Sequence, residues 1–164
     1  MPADSDATRD GATPYEVHLP RTYRPLGARV ATATAAVAIV VAMTFLWLML
    51  PGNVQDDFTT FQRITLVAFF VAILVLLNAI FRTSARATES GLEVVNGYRR
   101  RFLEWGQIVR ISLSPNRPWA LMDLDDGTTQ AVMAIQTSDG ARAIRSAKEL
   151  ARVIARHTPT DHDT

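Results

Sequence analysis

Two long apolar segments dominate the pattern of hydrophobic and polar positions along the chain. Val30–Leu50 contains 21 residues without a charge, and Ile64–Phe81 contains 18. As α-helices rising about 1.5 Å per residue, they would span roughly 31 and 27 Å, close to the hydrocarbon thickness of a bilayer. Neither segment has the polar stripe of a helix at the surface of a soluble core. The pattern predicts a transmembrane hairpin over residues 28–82, with helices at about 30–50 and 64–81.

Basic residues flank the two apolar segments on their outer sides. Three arginines lie at positions 21–29 before the first segment, and Arg82 and Arg86 follow the second. The connecting loop, residues 51–63, carries one arginine next to two aspartates. Because short cytoplasmic segments carry an excess of Lys and Arg, both termini are predicted to face the cytoplasm in a multi-pass protein.

The two chain ends lack this apolar character. Residues 1–27 are rich in Asp, Ala and Thr, and they include Pro14, Pro20 and Pro25. Such a segment buries too little apolar surface to offset the entropy lost on ordering. We predict a disordered N-terminal tail over residues 1–27 and a second tail over residues 158–164.

Residues 83–157 change to short alternating runs, which are typical of an antiparallel sheet. Asn96-Gly97 favours the positive φ angles of a tight hairpin turn, and Asp125-Asp126-Gly127 marks a second turn. The five or so predicted strands are Leu92–Val95, Tyr98–Leu103, Trp105–Leu113, Trp119–Leu124 and Thr128–Ile135.

The last predicted element is an amphipathic helix over residues 141–156, with Ser138 or Asp139 expected to cap its first turn. Basic residues occupy most of its surface. The residues that recur at helical spacing and form its apolar face are Ile144, Ala147, Leu150 or Ala151, and Ile154. Antiparallel strands followed by one helix predict an α+β domain in which the helix closes one end of a curved sheet.

Several short motifs accompany this order of elements. They are Glu89-Ser90-Gly91-Leu92, an Arg-rich strand, Glu104-Trp105-Gly106-Gln107-Ile108, Pro118-Trp119-Ala120-Leu121, Asp126-Gly127-Thr128 and Glu149-Leu150. With the helical hairpin before them, they resemble the bacterial pleckstrin-homology-like (PH-like) domains of actinobacterial membrane proteins, a group that includes a mycobacterial low-molecular-weight antigen family. The resemblance covers residues 28–157. It implies a small antiparallel PH-like β-barrel or sheet, here with five or six strands instead of the seven of the full PH plan.

Composition excludes several classes of protein. Seventeen Lys+Arg against sixteen Asp+Glu leave a net charge of +1, so there is no bulk electrostatic case for binding nucleic acid. The chain has no cysteine, which excludes disulfides, thiolate metal sites and cysteine nucleophiles. No nucleophile elbow, phosphate-binding loop or dinucleotide fingerprint occurs. We predict a protein that is not an enzyme and that uses no cofactor and no metal.

The acidic stretch at residues 123–128 has two further interpretations. The Asp-x-Asp-Gly-Thr pattern suggests a haloacid-dehalogenase-like phosphatase, but an extra Asp is inserted and the large α/β core is missing. A calcium loop needs Gly at its sixth position and a bidentate acid at its twelfth. Counted from Asp123, Gly127 is fifth and Ala134 is twelfth. We interpret the stretch as an acidic hairpin turn.

The most concentrated basic cluster in the sequence consists of three consecutive arginines, Arg99, Arg100 and Arg101. In eukaryotic PH domains, basic residues around the first hairpin bind phosphoinositide headgroups, so the resemblance implies lipid or partner binding here. Consecutive strand residues point to opposite faces, so at most two of the three act together. A solvated outer strand is the alternative. Trp105 and Trp119 lie on predicted strands and are expected in the core.

Asn78 is a strongly polar residue within the second apolar segment. A polar side chain at membrane depth needs a partner and is a functional hint. We expect it to hydrogen-bond to Thr32 or Thr34 of the first segment, which lie at similar depth.

Together these features predict a non-enzymatic integral protein of the bacterial inner membrane that displays a cytoplasmic PH-like domain. Exposed edge strands beside a C-terminal helix offer a groove for a partner's peptide, so we predict recruitment or scaffolding of an unknown membrane or cell-envelope protein. The alternative is sensing of anionic phospholipid by Arg99–Arg101 and the basic face of the last helix. Each arginine near an anionic leaflet contributes about 1 kcal/mol.

Overall fold

The structure is a computed structural model that describes residues 17–158. Within this range the chain forms seven strands and four α-helices. In chain order they are β1 (Arg21–Tyr23), α1 (Leu26–Met49), α2 (Gly52–Asp57), α3 (Thr60–Arg82), β2 (Ser84–Ala87), β3 (Gly91–Asn96), β4 (Arg99–Glu104), β5 (Ile108–Ser112), β6 (Trp119–Leu124), β7 (Thr129–Gln136) and α4 (Ala141–His157). Short 3₁₀ turns precede β5 and α4.

Helices α1 and α3 coincide with the two apolar segments, and both are long and apolar enough to span a membrane. They pack against each other and are joined by α2. At one end the guanidinium of Arg29 lies 4.3 Å from the ring centroid of Phe81, and at the other Arg63 lies 5.7 Å from that of Trp47. These cation–π contacts hold the two helices together at both ends.

The seven strands form two antiparallel sheets, one with the order β1-β2-β3-β4 and the other with the order β5-β6-β7. Gly97 (φ +65°) and Gly127 (φ +77°) lie at the two predicted hairpin turns, where a positive φ suits glycine. Two apolar helices followed by antiparallel sheets are therefore confirmed. The described strands form two sheets and do not close into one barrel.

The N-terminal segment differs from the predicted disordered tail. β1 pairs with β2, with Tyr23 opposite Ala85. Tyr23 is only 4% exposed, and Val17 and Leu19 pack against the same core. These three apolar residues stand at alternating positions, so an extended segment can bury them on one side. Residues 1–16 and 159–164 lie outside the described residues.

β1 also changes the strand count and the position of the helical hairpin. With β1 and β2, the described chain has seven strands instead of the five or six predicted, which is the number in the full PH plan. β1 and β2 are neighbours in one sheet, and α1, α2 and α3 lie between them in sequence. The helical hairpin therefore takes the place of a β1–β2 turn. The chain leaves the domain into α1 and returns to it from α3 at the same edge of the sheet.

The core lies between the two sheets and α4. Its largest fully buried side chains include Leu92, Leu103, Ile108, Met122, Ile135 and Leu150. Helix α4 packs against β5 and β7 and buries Ala143, Leu150, Val153 and Ile154. Ile144, expected on the packed face, is 50% exposed. α4 thus covers the core, but the described strands form no closed barrel for it to seal.

Asp139 links the domain to the start of α1. Its carboxylate oxygens accept hydrogen bonds from the backbone N–H groups of Leu26 (3.0 Å) and Gly27 (2.9 Å). These first-turn N–H groups have no partner within a helix, and negative charge is favourable near them. The expectation that Ser138 or Asp139 caps α4 is wrong. Gly140 (φ +55°) precedes α4 without a side-chain cap, because the turn before it directs the Asp139 carboxylate to α1.

Candidate functional site

A cavity of about 700 Å³ lies between β1 and α4 and is lined mainly by basic side chains. We call it the basic cavity. Its cationic residues are Arg21, Arg24, Arg142, Arg145, Lys148 and Arg152. Glu149 is the one acidic residue among the described residues that line it, which leaves an excess of five positive charges. Concave sites of this size hold small ligands, and walls of one charge sign concentrate ions of the other.

One ion pair crosses the basic cavity. Nε of Arg21 lies 2.9 Å from Oε1 of Glu149. Within residues 17–158, the other five cations of the cavity form no ion pair. Tyr23 also lines the cavity, and burial together with the nearby Glu149 charge raises the pKa of its phenol well above its usual range. The phenol therefore stays neutral and forms no ion pair with the cations of the cavity.

The contacts of Asp139 fix where the basic cavity lies relative to α1. Arg142 is in the first turn of α4, three residues after Asp139, which caps α1, and Arg24 lies two residues before Leu26, the first residue of α1. The uncharged part of α1 begins at Val30, about 6 Å further along the helix axis. One end of the cavity is therefore close to the level at which the apolar surface of α1 begins.

A smaller apolar groove of about 210 Å³ lies between β5 and α4, and we call it the β5–α4 groove. β5 is an edge strand of the second sheet. The groove is lined by Ile111 and Leu113 on the strand side and by Ile144, Ala147, Lys148 and Ala151 on the helix side. Half of the Ile144 side chain is exposed here, so the apolar face of α4 is wider than the part that the core covers.

The three arginines singled out in the sequence lie on β4, away from the basic cavity. Arg100 pairs with Glu93 of the neighbouring strand at 3.1 Å, and Arg101 donates to Oε1 of Gln130 at 3.1 Å. Arg99 is exposed at the start of the strand. Each of the three has its own surroundings, so the structure does not bring them together into one concave site.

The β3–β4 hairpin tip contacts α3. The Tyr98 hydroxyl lies 3.0 Å from the Val75 carbonyl oxygen and 3.2 Å from Oδ1 of Asn78. The expected bond from Asn78 to Thr32 or Thr34 is therefore replaced by this one, and the Thr32 hydroxyl bonds to backbone carbonyls of its own helix. The hairpin reaches α3 because α3 leads directly into β2, beside β3. Tyr98 and Asn78 thus fix the domain against the helical hairpin.

The two tryptophans have different environments. Trp105 is buried, lies in a 3₁₀ turn instead of on a strand, and its indole N–H donates to the carbonyls of Thr88 and Glu89. Its ring stacks on His157 of α4 at a centroid distance of 5.0 Å. Trp119 starts β6 and is half-buried. Trp105 therefore contributes to the core, whereas Trp119 lies at its margin.

The acidic stretch forms a turn. Asp126 accepts hydrogen bonds from the backbone N–H (2.8 Å) and hydroxyl (2.6 Å) of Thr128. These bonds favour the ionised form and hold the pKa of the Asp126 carboxyl below its usual range. Among residues 17–158, no group of three or more His, Cys, Asp or Glu side chains is placed to hold a metal ion. The hydrogen bonds of Asp126 account for its position in the turn.

Sequence reasoning did not identify the basic cavity as a site. The sequence predicts the basic face of the last helix, but the surface of β1 that lies opposite this face falls within the predicted tail. The one available signal is the alternation of Val17, Leu19 and Tyr23, which marks an extended segment and places Arg21 and Arg24 next to it.

Two antiparallel sheets followed by a C-terminal helix that packs on their core match the arrangement of a PH-like domain. Comparison with known families agrees: a model described as bacterial PH domain matches residues 82–152. Domains of this kind are generally non-catalytic.

Curated relatives extend the similarity to the helical hairpin. The chain is 31% identical over 148 residues to an uncharacterised protein of Mycobacterium tuberculosis and to one of Mycobacterium bovis, covering 88% of this chain and 92% of each relative. The chain therefore belongs to this bacterial PH-domain family, which the resemblance of its motifs to actinobacterial PH-like proteins had indicated. No solved structure matches significantly.

Proposed function

We propose that α1 and α3 span the bacterial inner membrane with both flanks in the cytoplasm. Strands that pair in one sheet must lie on the same side of a membrane, and β1 precedes α1 while β2 follows α3. The arginines of these flanks favour the cytoplasmic side. Thr32 is the buried residue of α1, and α3 buries none. An apolar surface of this extent is unfavourable in water, which supports a lipid environment.

The absence of cysteine from the chain makes this topology directly measurable. We expect Asn53→Cys, in the α1–α3 connection, to react with a membrane-impermeant maleimide in intact cells. Arg117→Cys, in the β5–β6 loop, should react only after the cells are lysed. Labelling of Arg117→Cys in intact cells, or protection of Asn53→Cys, would contradict the proposed orientation.

We further propose that the domain is a non-catalytic adaptor that recruits a protein partner at the membrane through the β5–α4 groove. The observation that carries this proposal is an edge strand next to a helix, with an apolar groove between them. An edge strand presents unpaired backbone groups to an added strand, and apolar pockets beside it select side chains. Lys148 at the groove favours a partner segment with an acidic residue next to its apolar ones.

The adaptor proposal is tested with the full-length chain in its native membrane, with a photo-crosslinking amino acid at Ala151. We expect a defined crosslinked product that falls at least about tenfold with Ile144→Asp, because a charge in the groove disfavours an apolar side chain. Val109→Asp is the matched control, since Val109 is a similarly exposed residue of β5 (57%) outside the groove lining. Equal products from both variants would rule out the groove as the binding surface.

The alternative function, sensing of anionic phospholipid by Arg99–Arg101, has less support in the contacts. Arg100 and Arg101 already have partners on β3 and β7. The basic cavity brings six cations together in one concave site. It therefore supports lipid binding between β1 and α4 instead of on β4.

A further inference from the structure

We propose that the basic cavity binds a ligand that carries more than one phosphate group, at the level of the lipid headgroups. The location rests on the proposed membrane insertion of α1, whereas the ligand chemistry rests on the cavity alone. The site differs from the arginine cluster of β4, since it is built from β1 and α4.

The charges of the cavity set the class of ligand. Six cations face one carboxylate, and five of the six are arginines. Arginine presents a planar fork of N–H donors that matches the oxygens of a phosphate, so it recognises phosphates in a bidentate manner. A single phosphodiester carries one negative charge and leaves most of the five excess charges uncompensated. Two or more phosphate groups in a site of about 700 Å³ match both its charge and its volume.

The basic residues of α4 are arranged by the helix itself. Arg142, Arg145 and Arg152 follow one another with Glu149 at spacings of three and four residues, so they lie along one face. That face looks toward β1, where Arg21 pairs with Glu149. Because helix and sheet backbones hold both walls, the backbone positions of the cations are fixed before a ligand arrives, and the remaining ordering cost of binding is that of their side chains.

The position of the cavity favours a lipid headgroup as the source of the phosphates. Arg24 and Arg142 lie at the end of the cavity nearest to the start of α1, because the backbone N–H groups of α1 donate hydrogen bonds to Asp139, close to Arg142. The uncharged part of α1 begins about 6 Å beyond this start. The headgroup layer of a bilayer is about 5–7 Å thick on each side. A headgroup therefore lies level with the mouth of the cavity.

The test uses the full-length protein in phosphatidylcholine nanodiscs with either cardiolipin, which has two phosphates, or phosphatidylglycerol, which has one, at equal total charge. Native mass spectrometry counts the lipids that stay bound to the protein. The cavity variant carries Arg24→Gln, Arg142→Gln and Arg145→Gln. The matched control carries Arg99→Gln, Arg100→Gln and Arg101→Gln, which removes the same charge from β4.

We expect the wild type to retain more cardiolipin than phosphatidylglycerol, and the cavity variant to retain at least about tenfold less cardiolipin. The control should stay within about twofold of the wild type. Equal losses in both variants would indicate general surface attraction and overturn the proposal. Equal retention of the two lipids by the wild type would remove the requirement for a second phosphate.

A second variant that is expected to bind more cardiolipin distinguishes loss of the binding site from misfolding of the cavity variant. Glu149→Gln removes the one carboxylate of the lining and frees Arg21, so it should increase cardiolipin retention several-fold. Unchanged or weaker retention would contradict the proposal.

Calorimetry with inorganic pyrophosphate distinguishes a lipid headgroup from a soluble ligand as the source of the phosphates. If the wild type binds pyrophosphate but retains no cardiolipin, and the cavity variant does not bind pyrophosphate, the site belongs to a soluble ligand. The maleimide experiment reports on membrane insertion independently, so failure of one proposal is distinguished from failure of the other.

Discussion

A chain in which residues 17–25 are joined to residues 83–158 by a short turn is expected to fold as a domain without its membrane helices, whereas residues 83–158 alone are expected to be unfolded. Antiparallel neighbours such as β1 and β2 can be joined by a short turn, so about four linking residues replace the helical hairpin. Without β1 the core loses Tyr23, and removing a buried aromatic side chain costs about 3–5 kcal/mol. Thermal unfolding followed by circular dichroism distinguishes the two chains.

Tyr23→Ala in the joined chain is the control for this prediction. It keeps the β1 backbone but removes the buried ring, so its midpoint should lie well below that of the joined chain. A cooperative transition of residues 83–158 alone, at the midpoint of the joined chain, would show that β1 is not an integral strand of the domain.

Gly91→Ala is expected to be the most destabilising single substitution of a small residue in the domain. Gly91 begins β3 with φ +158°, opposite Glu104. A Cβ there would overlap the carbonyl oxygen of Leu103 and lie 2.8 Å from Cζ of Phe102. Because the first obstacle is backbone, the strands must separate, and we expect a loss of about 3 kcal/mol in the free energy of unfolding.

Gly106→Ala provides the comparison, since an added Cβ at Gly106 meets nothing within 4 Å. Urea unfolding of the joined chain should show a lower midpoint for Gly91→Ala and a nearly unchanged midpoint for Gly106→Ala. Similar midpoints for the two variants would mean that β3 and β4 are not as closely paired as described.

The elements that sequence analysis predicted well are those whose signal is local. The two apolar helices follow from uninterrupted uncharged segments, and the β3–β4 hairpin follows from Asn96-Gly97. β1 was missed because a strand of three residues between Pro20 and Pro25 has almost no local signal. Its partner β2 lies on the other side of two long helices, so the pairing that stabilises β1 is visible only in three dimensions.

The candidate sites were harder to predict for the same reason. The β5–α4 groove was anticipated in general terms, since an edge strand and a following helix are adjacent in the predicted topology. The basic cavity joins Arg24 to Arg142, more than a hundred residues apart in the chain, and no local pattern connects them. The consecutive arginines of β4 form a local cluster in the sequence, although in the structure Arg100 and Arg101 contact different partners and Arg99 is exposed.

The insertion of the helical hairpin between β1 and β2 has a consequence for biosynthesis. In a chain that spans the membrane as proposed, the ribosome releases β1 before either helix, and it releases β2 only after both. β1 must therefore stay on the ribosomal side of the bilayer, without its partner, until the translocation machinery has placed both helices. A polypeptide whose first helix is inserted the wrong way round carries β1 across the membrane and can never complete its first sheet. The domain can therefore fold completely only in chains whose two helices have been inserted in the correct orientation.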